Sequence, residues 1–171
     1  MMTLDGIFDA RYSVRKYKDT PVEDEKIAQI IESANKAPTA KNIQPQRIFV
    51  LKSPEAIAKI RSLARCAFDA PVVLLVCADN SQAWVNPYSQ KSYAQTDAAI
   101  VTTYMMLKAT ELSLGTCWVG WFDPAPVKKE FALPEELEPL YLLPLGYADE
   151  SFEPSPQHFS RKKIEETVKT L

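Results

Sequence analysis

Near the start of the chain, Arg11, Ser13 and Arg15 recur at every second position. In an extended segment such residues share one face; on a helix they would diverge. Two guanidiniums and a hydroxyl on one face give the charge-assisted, bidentate donors that suit a phosphate. The alternative is a solvated basic edge. A second polar group is Pro38-Thr39-Ala40-Lys41-Asn42-Ile43-Gln44-Pro45-Gln46, a loop bracketed by prolines. The carboxamides of Asn42 and Gln44 pair a donor with an acceptor and match an imide-like N–H/C=O edge, such as the pyrimidine side of a flavin. Equally, they could satisfy a helix-to-strand turn's own backbone. In a third group, Gly115 to Phe122, small and aromatic residues surround Gly120, where bare backbone lets a flat ligand approach closely.

The scarce residue types exclude other chemistry. The single histidine, His158, rules out a multi-histidine metal site within one chain, and its polar surroundings suggest solvation. Cys66, Cys77 and Cys117 form no C-x-x-C pair, so zinc-ribbon and thioredoxin patterns are absent. Cys117 reads as a packed strand residue rather than a nucleophile, with no third group to activate it. With four glycines there is no G-x-G-x-x-G turn, and Trp121 stands where the Gly115 to Gly120 spacing would need a phosphate-loop lysine. Arg161-Lys162-Lys163 is either a plain basic end or a second anionic contact.

The elements that must position these groups are marked by prolines and caps. Thr20-Pro21-Val22-Glu23 predicts a capped helix carrying Ile27, Ile30, Ile31 and Ala34 inward and ending at Pro38. Residues 47–51 predict a strand, and Ser53-Pro54-Glu55 opens a helix with Ile57, Ile60 and Leu63 inward. The unbroken apolar run Pro71–Cys77 predicts a strand buried on both faces. Residues 84–90 read as a loop. From 97 to 114 no glycine or proline occurs, predicting the longest helix, closed by Gly115 as a left-handed cap. Its stretch 98–107 is apolar on nearly every side, so it must be surrounded by its own sheet or by a second subunit. A strand or strand-to-loop segment is expected at 116–122, a short helix from Asp123-Pro124 to Phe131, and a last strand at 140–147 before a proline-rich tail.

The 171 residues suit one α+β domain over 1–171. Twenty basic against twenty-two acidic side chains, a net charge of −2, argue against nucleic-acid binding. No apolar run approaches the roughly 18 residues of a membrane span. Met1–Gly6 lacks the pattern of a secretory signal, and an odd number of thiols fits a reducing cytoplasm.

Four of these pieces, in order, resemble the nitroreductase family of FMN-dependent NAD(P)H oxidoreductases over 11–167. The R-x-S-x-R segment is similar to that family's opening FMN signature, and Pro38–Pro45 to its P-[ST]-x-x-N-x-Q-P loop. Asp97-Ala98-Ala99 with Leu114–Gly120 resembles its central helix and following strand, and Arg161–Glu166 its C-terminal R-K-P-[LI]-E-E. Gln46 stands where a tryptophan often follows the Q-P pair, Lys163 replaces the proline of R-K-P, and Cys66-Ala67-Phe68 lacks a lysine some relatives carry.

The resemblance implies an α+β fold, a mixed or antiparallel sheet flanked by helices, in an intertwined homodimer with two FMN sites at its interface. Carried over by position, Arg11, Ser13 and Arg15 would hold the phosphate, ribityl chain and pyrimidine edge. Pro38, Thr39, Asn42 and Gln44 would approach the ring from the partner subunit. The backbone at Gly120 and Trp121 would lie by the flavin's reactive nitrogen, and Arg161 and Lys162 would reach the phosphate. Helix 98–107 would be the dimer seam. No catalytic side chain is needed, since the flavin carries the hydride chemistry. The implied activity takes hydride from NAD(P)H and passes electrons to a nitroaromatic, quinone or similar acceptor by a ping-pong mechanism. The alternatives are a dehalogenase or flavin-fragmenting enzyme on the same scaffold, with 79–96 as lid, or a non-catalytic FMN-binding protein.

Overall fold

A computed structural model describes residues 2–171. Its centre is a four-stranded antiparallel sheet of β1 (Gln46–Leu51), β2 (Val72–Asp79), β3 (Gly115–Thr116) and β4 (Leu137–Gly146), in the order β1-β2-β4-β3. A parallel bridge from Ser13 to Thr116 ties the N-terminal segment to the β3 edge, which makes the arrangement mixed there. The described residues form six helices: α1 (Leu4–Ala10), α2 (Asp24–Asn35), α3 (Pro54–Leu63), α4 (Ala94–Glu111), α5 (Pro124–Glu130) and α6 (Ile164–Thr167), the last lying in the exposed tail.

Strand β2 is buried at all eight positions, as its apolar run requires. Val72, Leu74, Val76 and Ala78 face a core made with α2 and α4. Val73, Leu75 and Cys77 face a second core with α3 and α5. The pleat thus sends alternate residues into two separate hydrophobic layers. Between Val76 and Cys77 the register with β4 shifts from Tyr141 to Pro139, a bulge at a proline that cannot donate to the ladder.

Two helix starts are as the sequence predicts. Ser53 Oγ accepts from Ala56 N at 3.1 Å and Asp123 Oδ1 from Ala125 N at 3.0 Å, each with proline at the first turn. The start of α2 differs: its cap is Glu23, not Thr20, and the helix begins at Asp24. Val22 must stay extended to enter the core, and the Tyr147 hydroxyl donates to the Glu23 carboxylate at 2.8 Å. Helix α1 carries no proline signal and was not anticipated; Thr3 Oγ1 caps it by accepting from Gly6 N.

Helix α4 starts a turn earlier than expected and stops at Glu111. Ser113, at φ 61°, is the left-handed residue there, with Ser113 N donating to Thr110 O and Leu114 N to Ala109 O at 2.8 Å. That pair of bonds, with buried Leu114 packing beyond, closes the helix. Gly115 is needed for a different reason: a Cβ there would lie 2.6 Å from Val14 Cγ2. The apolar stretch 98–107 also divides. Ala98, Val101 and Met105 are fully buried within the protomer, so Val101 belongs to the core rather than to an outer seam. Ile100, Thr103 and Leu107 remain partly exposed on the outward side, with Tyr104 39% exposed.

Candidate functional site

The N-terminal segment is extended because it is zipped to the sheet edge. Val14 N donates to Thr116 O at 2.9 Å, and the buried Tyr17 hydroxyl reaches Val14 O at 2.9 Å and Pro144 O at 3.2 Å. Val14 is 1% exposed and fills the space left by Gly115. With Val14 inward, its neighbours Ser13 and Arg15 lie on the other face, Arg15 exposed and Ser13 half-buried; the alternation ends there, since Tyr17 is buried although it stands two residues from Arg15. Arg11 caps the end of α1 and lines an adjoining cleft of about 180 Å³ with Val14 and Gly115; Tyr12 borders both sides.

Two hollows meet at Arg15. One, about 360 Å³, is walled by Arg15, Cys66, Phe68, Trp118, Gly120 and Trp121. The other, about 190 Å³, is polar and lined by Tyr12, Ser13, Arg15, Ser155, Gln157 and His158. The first is shaped by how 117–121 leaves the sheet. Val119 exchanges two 2.9 Å backbone bonds with Leu142, and the Trp118 ring packs edge-on against Tyr141 with centroids 5.0 Å apart. Beyond this anchor the chain lifts off, leaving Gly120 exposed and Trp121 87% exposed. Nothing lies within 4 Å of where a Gly120 Cβ would stand, so a flat ring has open access to the peptide. Of the two forms expected for 116–122, the strand-to-loop form is the one present: β3 ends at Thr116 and a single bridge at Val119 follows.

Cys117 is 4% exposed, and burial pushes its thiol above the ordinary range, with Arg15 opposing. Burial thus disfavours the thiolate of Cys117, which also forms part of the wall of the 360 Å³ hollow. Among the described residues no His, Cys, Asp and Glu cluster is arranged for a metal ion, and no helix is long and apolar enough to cross a membrane.

The loop 38–46 does not line either hollow of its own protomer. Pro38, Asn42 and Gln44 are exposed and Thr39 is half-buried. Lys41, Asn42 and Gln44 all have positive φ (52°, 55° and 58°), a conformation costly for side chains other than Asn. The fold imposes it from both ends. The buried Asp97 carboxylate on α4 accepts from Ala40 N at 2.9 Å, and Thr39 Oγ1 accepts from Gln44 N at 3.1 Å. The segment 79–96 forms a hairpin bridged from Val85 to Ser92, whose Trp84 ring lies 6.0 Å from Lys41 Nζ. Sequence reasoning gave Asp97 only as part of a resemblance; its clamp on Ala40 needed the structure.

At the C-terminus, Arg161 folds back on its own turn, donating to Ser160 O at 2.9 Å and to His158 O. Arg161 and Lys162 are exposed, and so is every residue from 160 to 171. His158 departs from the solvated position expected of it. It is half-buried, with its ring edge-on to Tyr12 and Phe159 at centroid distances of 6.4 and 4.9 Å.

The helices and antiparallel sheet define an α+β protein, with Arg15 shared between a partly aromatic hollow and a polar cleft. The family model described as "Nitroreductase family" matches residues 9–69 and 61–147, and the chain belongs to that family. A solved nitroreductase family protein from Clostridium difficile is 38% identical, covers 100% of both chains and superimposes with a TM-score of 0.91. A Thermus thermophilus NADH dehydrogenase is 30% identical over 180 residues, covering 85% of this chain and 86% of that one. An FMN reductase [NAD(P)H] from Bacillus subtilis is 31% identical over 158 residues, covering 81% and 64%.

Proposed function

We propose that this chain, as one domain over 1–171, is an FMN-dependent NAD(P)H oxidoreductase of the cytoplasm. It takes hydride from the nicotinamide and passes electrons to a nitroaromatic, quinone or similar acceptor by a ping-pong mechanism. One observation carries the reading: Arg15 stands where an open, partly aromatic hollow beside bare Gly120 backbone meets a polar cleft. A ligand with a flat ring at one end and a phosphate at the other fits that pair of sites. The relatives' nicotinamide and FMN activities support the same assignment.

FMN, when bound, supplies the two-electron redox chemistry. The chain's residues bind and polarise it. Arg15 sets a permanent positive charge beside the ring and favours negative charge at its pyrimidine edge. Gly120 and Trp121 would offer backbone to the ring, while Ser13 in the polar cleft, with Arg11 from the adjoining cleft and Arg161 and Lys162 from the tail, would hold the phosphate end. Donor and acceptor would enter the same open hollow in turn, which is the basis of the proposed ping-pong order.

The protein acts as an intertwined homodimer in which Pro38, Thr39, Asn42 and Gln44 complete the partner's site. In its support, the strained loop faces neither hollow of its own chain. The tail also exposes Ile164 (71%) and Val168 (57%), apolar residues that need a cover.

The test is purification followed by anaerobic titration. The protein should be yellow or become so with added FMN, bleach with NADH or NADPH, and recover its colour with a nitroaromatic or quinone. Protein that stays colourless in excess FMN overturns the assignment; bleaching without reoxidation by any acceptor of these classes overturns the acceptor. Yellow protein that neither nicotinamide bleaches is a carrier.

A further inference from the structure

The polar cleft holds a residue that neither the R-x-S-x-R segment nor the basic tail accounts for. His158 is the chain's only imidazole, it lies 143 residues from Arg15 in sequence, and the fold brings both to the same 190 Å³ cleft. Its ring is held rather than loose. Tyr12 and Phe159 each present an edge-on contact to it, and Tyr12 is in turn stacked on Phe152 at 6.3 Å. The turn beneath is closed by His158 N donating to Ser155 O at 2.8 Å and by Ser155 Oγ accepting from Gln157 N.

The cleft's own lining has one sign. Arg15 contributes a guanidinium, Ser13 and Ser155 hydroxyls, Gln157 a carboxamide, and no carboxylate lines it. A half-buried imidazole lining the same small cleft as an arginine and two hydroxyls is equipped to donate to an oxyanion. The ligand fitting this set is a phosphate monoester whose organic part leaves past Arg15 into the apolar hollow.

We propose that His158 donates a hydrogen bond to the phosphate of the bound flavin nucleotide, making the 155–158 turn a phosphate-reading element of this chain. This rests on the FMN reading above and adds a residue to it. It makes the site discriminate between FMN and riboflavin, which share the ring and differ by the phosphate.

Dissociation constants for FMN and for riboflavin, measured by flavin fluorescence on wild type, His158→Ala and His158→Gln, test the proposal. His158 lies on a surface turn outside both cores, so the variants should fold, and thermal melts check this. His158→Ala should weaken FMN about tenfold or more and leave riboflavin unchanged within twofold. His158→Gln, which retains a donor, should recover most of the loss. Unchanged FMN affinity in His158→Ala overturns the proposal, as does an equal loss for both flavins, which would make the ring a packing element only. Wild-type protein that binds neither flavin instead overturns the cofactor assignment and the His158 role with it.

Discussion

Gly120 separates binding from folding more cleanly than any other position in the candidate site. Nothing lies within 4 Å of a Cβ added there, and its φ is not positive, so a side chain meets neither clash nor backbone strain. Gly120→Ala should therefore be neutral or gain about 0.4–1 kcal/mol from the reduced freedom of the unfolded chain. For a chain of this length that is a rise in Tm of up to about 4 °C. A ring packed on the bare peptide has no such room. Optimal contact is about 3.5–4.0 Å between carbons, so an inserted side chain lifts the ring by on the order of 1 Å. Gly120→Val should then weaken FMN at least about tenfold, about 1.4 kcal/mol, with a larger loss in turnover because misplacement of that size costs up to about a hundredfold. Gly115→Ala is the control. Its Cβ would sit 2.6 Å from Val14 Cγ2 and 2.9 Å from Val14 Cβ, and overpacking of this kind costs about 1–3 kcal/mol. Circular-dichroism melts and fluorescence titration with FMN read both quantities. The reasoning fails if Gly120→Val binds FMN like wild type, or if Gly120→Ala melts as far below wild type as Gly115→Ala.

Asp97→Ala removes the buried acceptor of Ala40 N and should cost about 1–3 kcal/mol in urea unfolding, with Asp97→Asn, which keeps an acceptor oxygen, losing less; equal losses would deny the hydrogen bond its role. Tyr104→Glu places a charge on the outward side of α4 and should shift sedimentation from twice the chain mass toward the monomer without lowering helix content; an undisturbed dimer would move the interface elsewhere. Asp79 is held below the ordinary aspartate range by the Ser81 hydroxyl first, with backbone donors and Arg47 adding to it. Since a depressed folded pKa stabilises above the unfolded value near 3.9, the stability advantage over Asp79→Asn should be constant above about pH 5 and shrink as pH falls below about 4. An advantage unchanged down to pH 2 would contradict that linkage.

Local rules in the sequence carried much of the framework. The run Pro71–Cys77 already requires a strand covered on both sides, and the two cores packed against β2 bear this out. Ser53-Pro54 and Asp123-Pro124 start α3 and α5 because a cap and a first-turn proline act within four residues. The alternation in 11–15 placed Ser13 and Arg15 on one cleft but not Arg11, which as the cap of α1 lines the adjoining cleft with Val14 and Gly115 instead.

What depends on distant partners was decided only in three dimensions. The cap of α2 moved from Thr20 to Glu23 because Tyr147, over a hundred residues on, holds the carboxylate. Ser113 rather than Gly115 took the left-handed turn, since Gly115 is already strand backbone, paired with Gly146 in β3. Val101 went to the core and Tyr104 outward, a division invisible in a helix apolar on nearly every side. His158 came to Arg15, and Asp97 to Ala40, through pairings that leave no periodic trace in either segment. Residue type and spacing specify what a segment is able to do alone. Which segments meet is set by the competition for buried volume and hydrogen-bond partners across the whole chain, and that competition is settled only when the chain is packed.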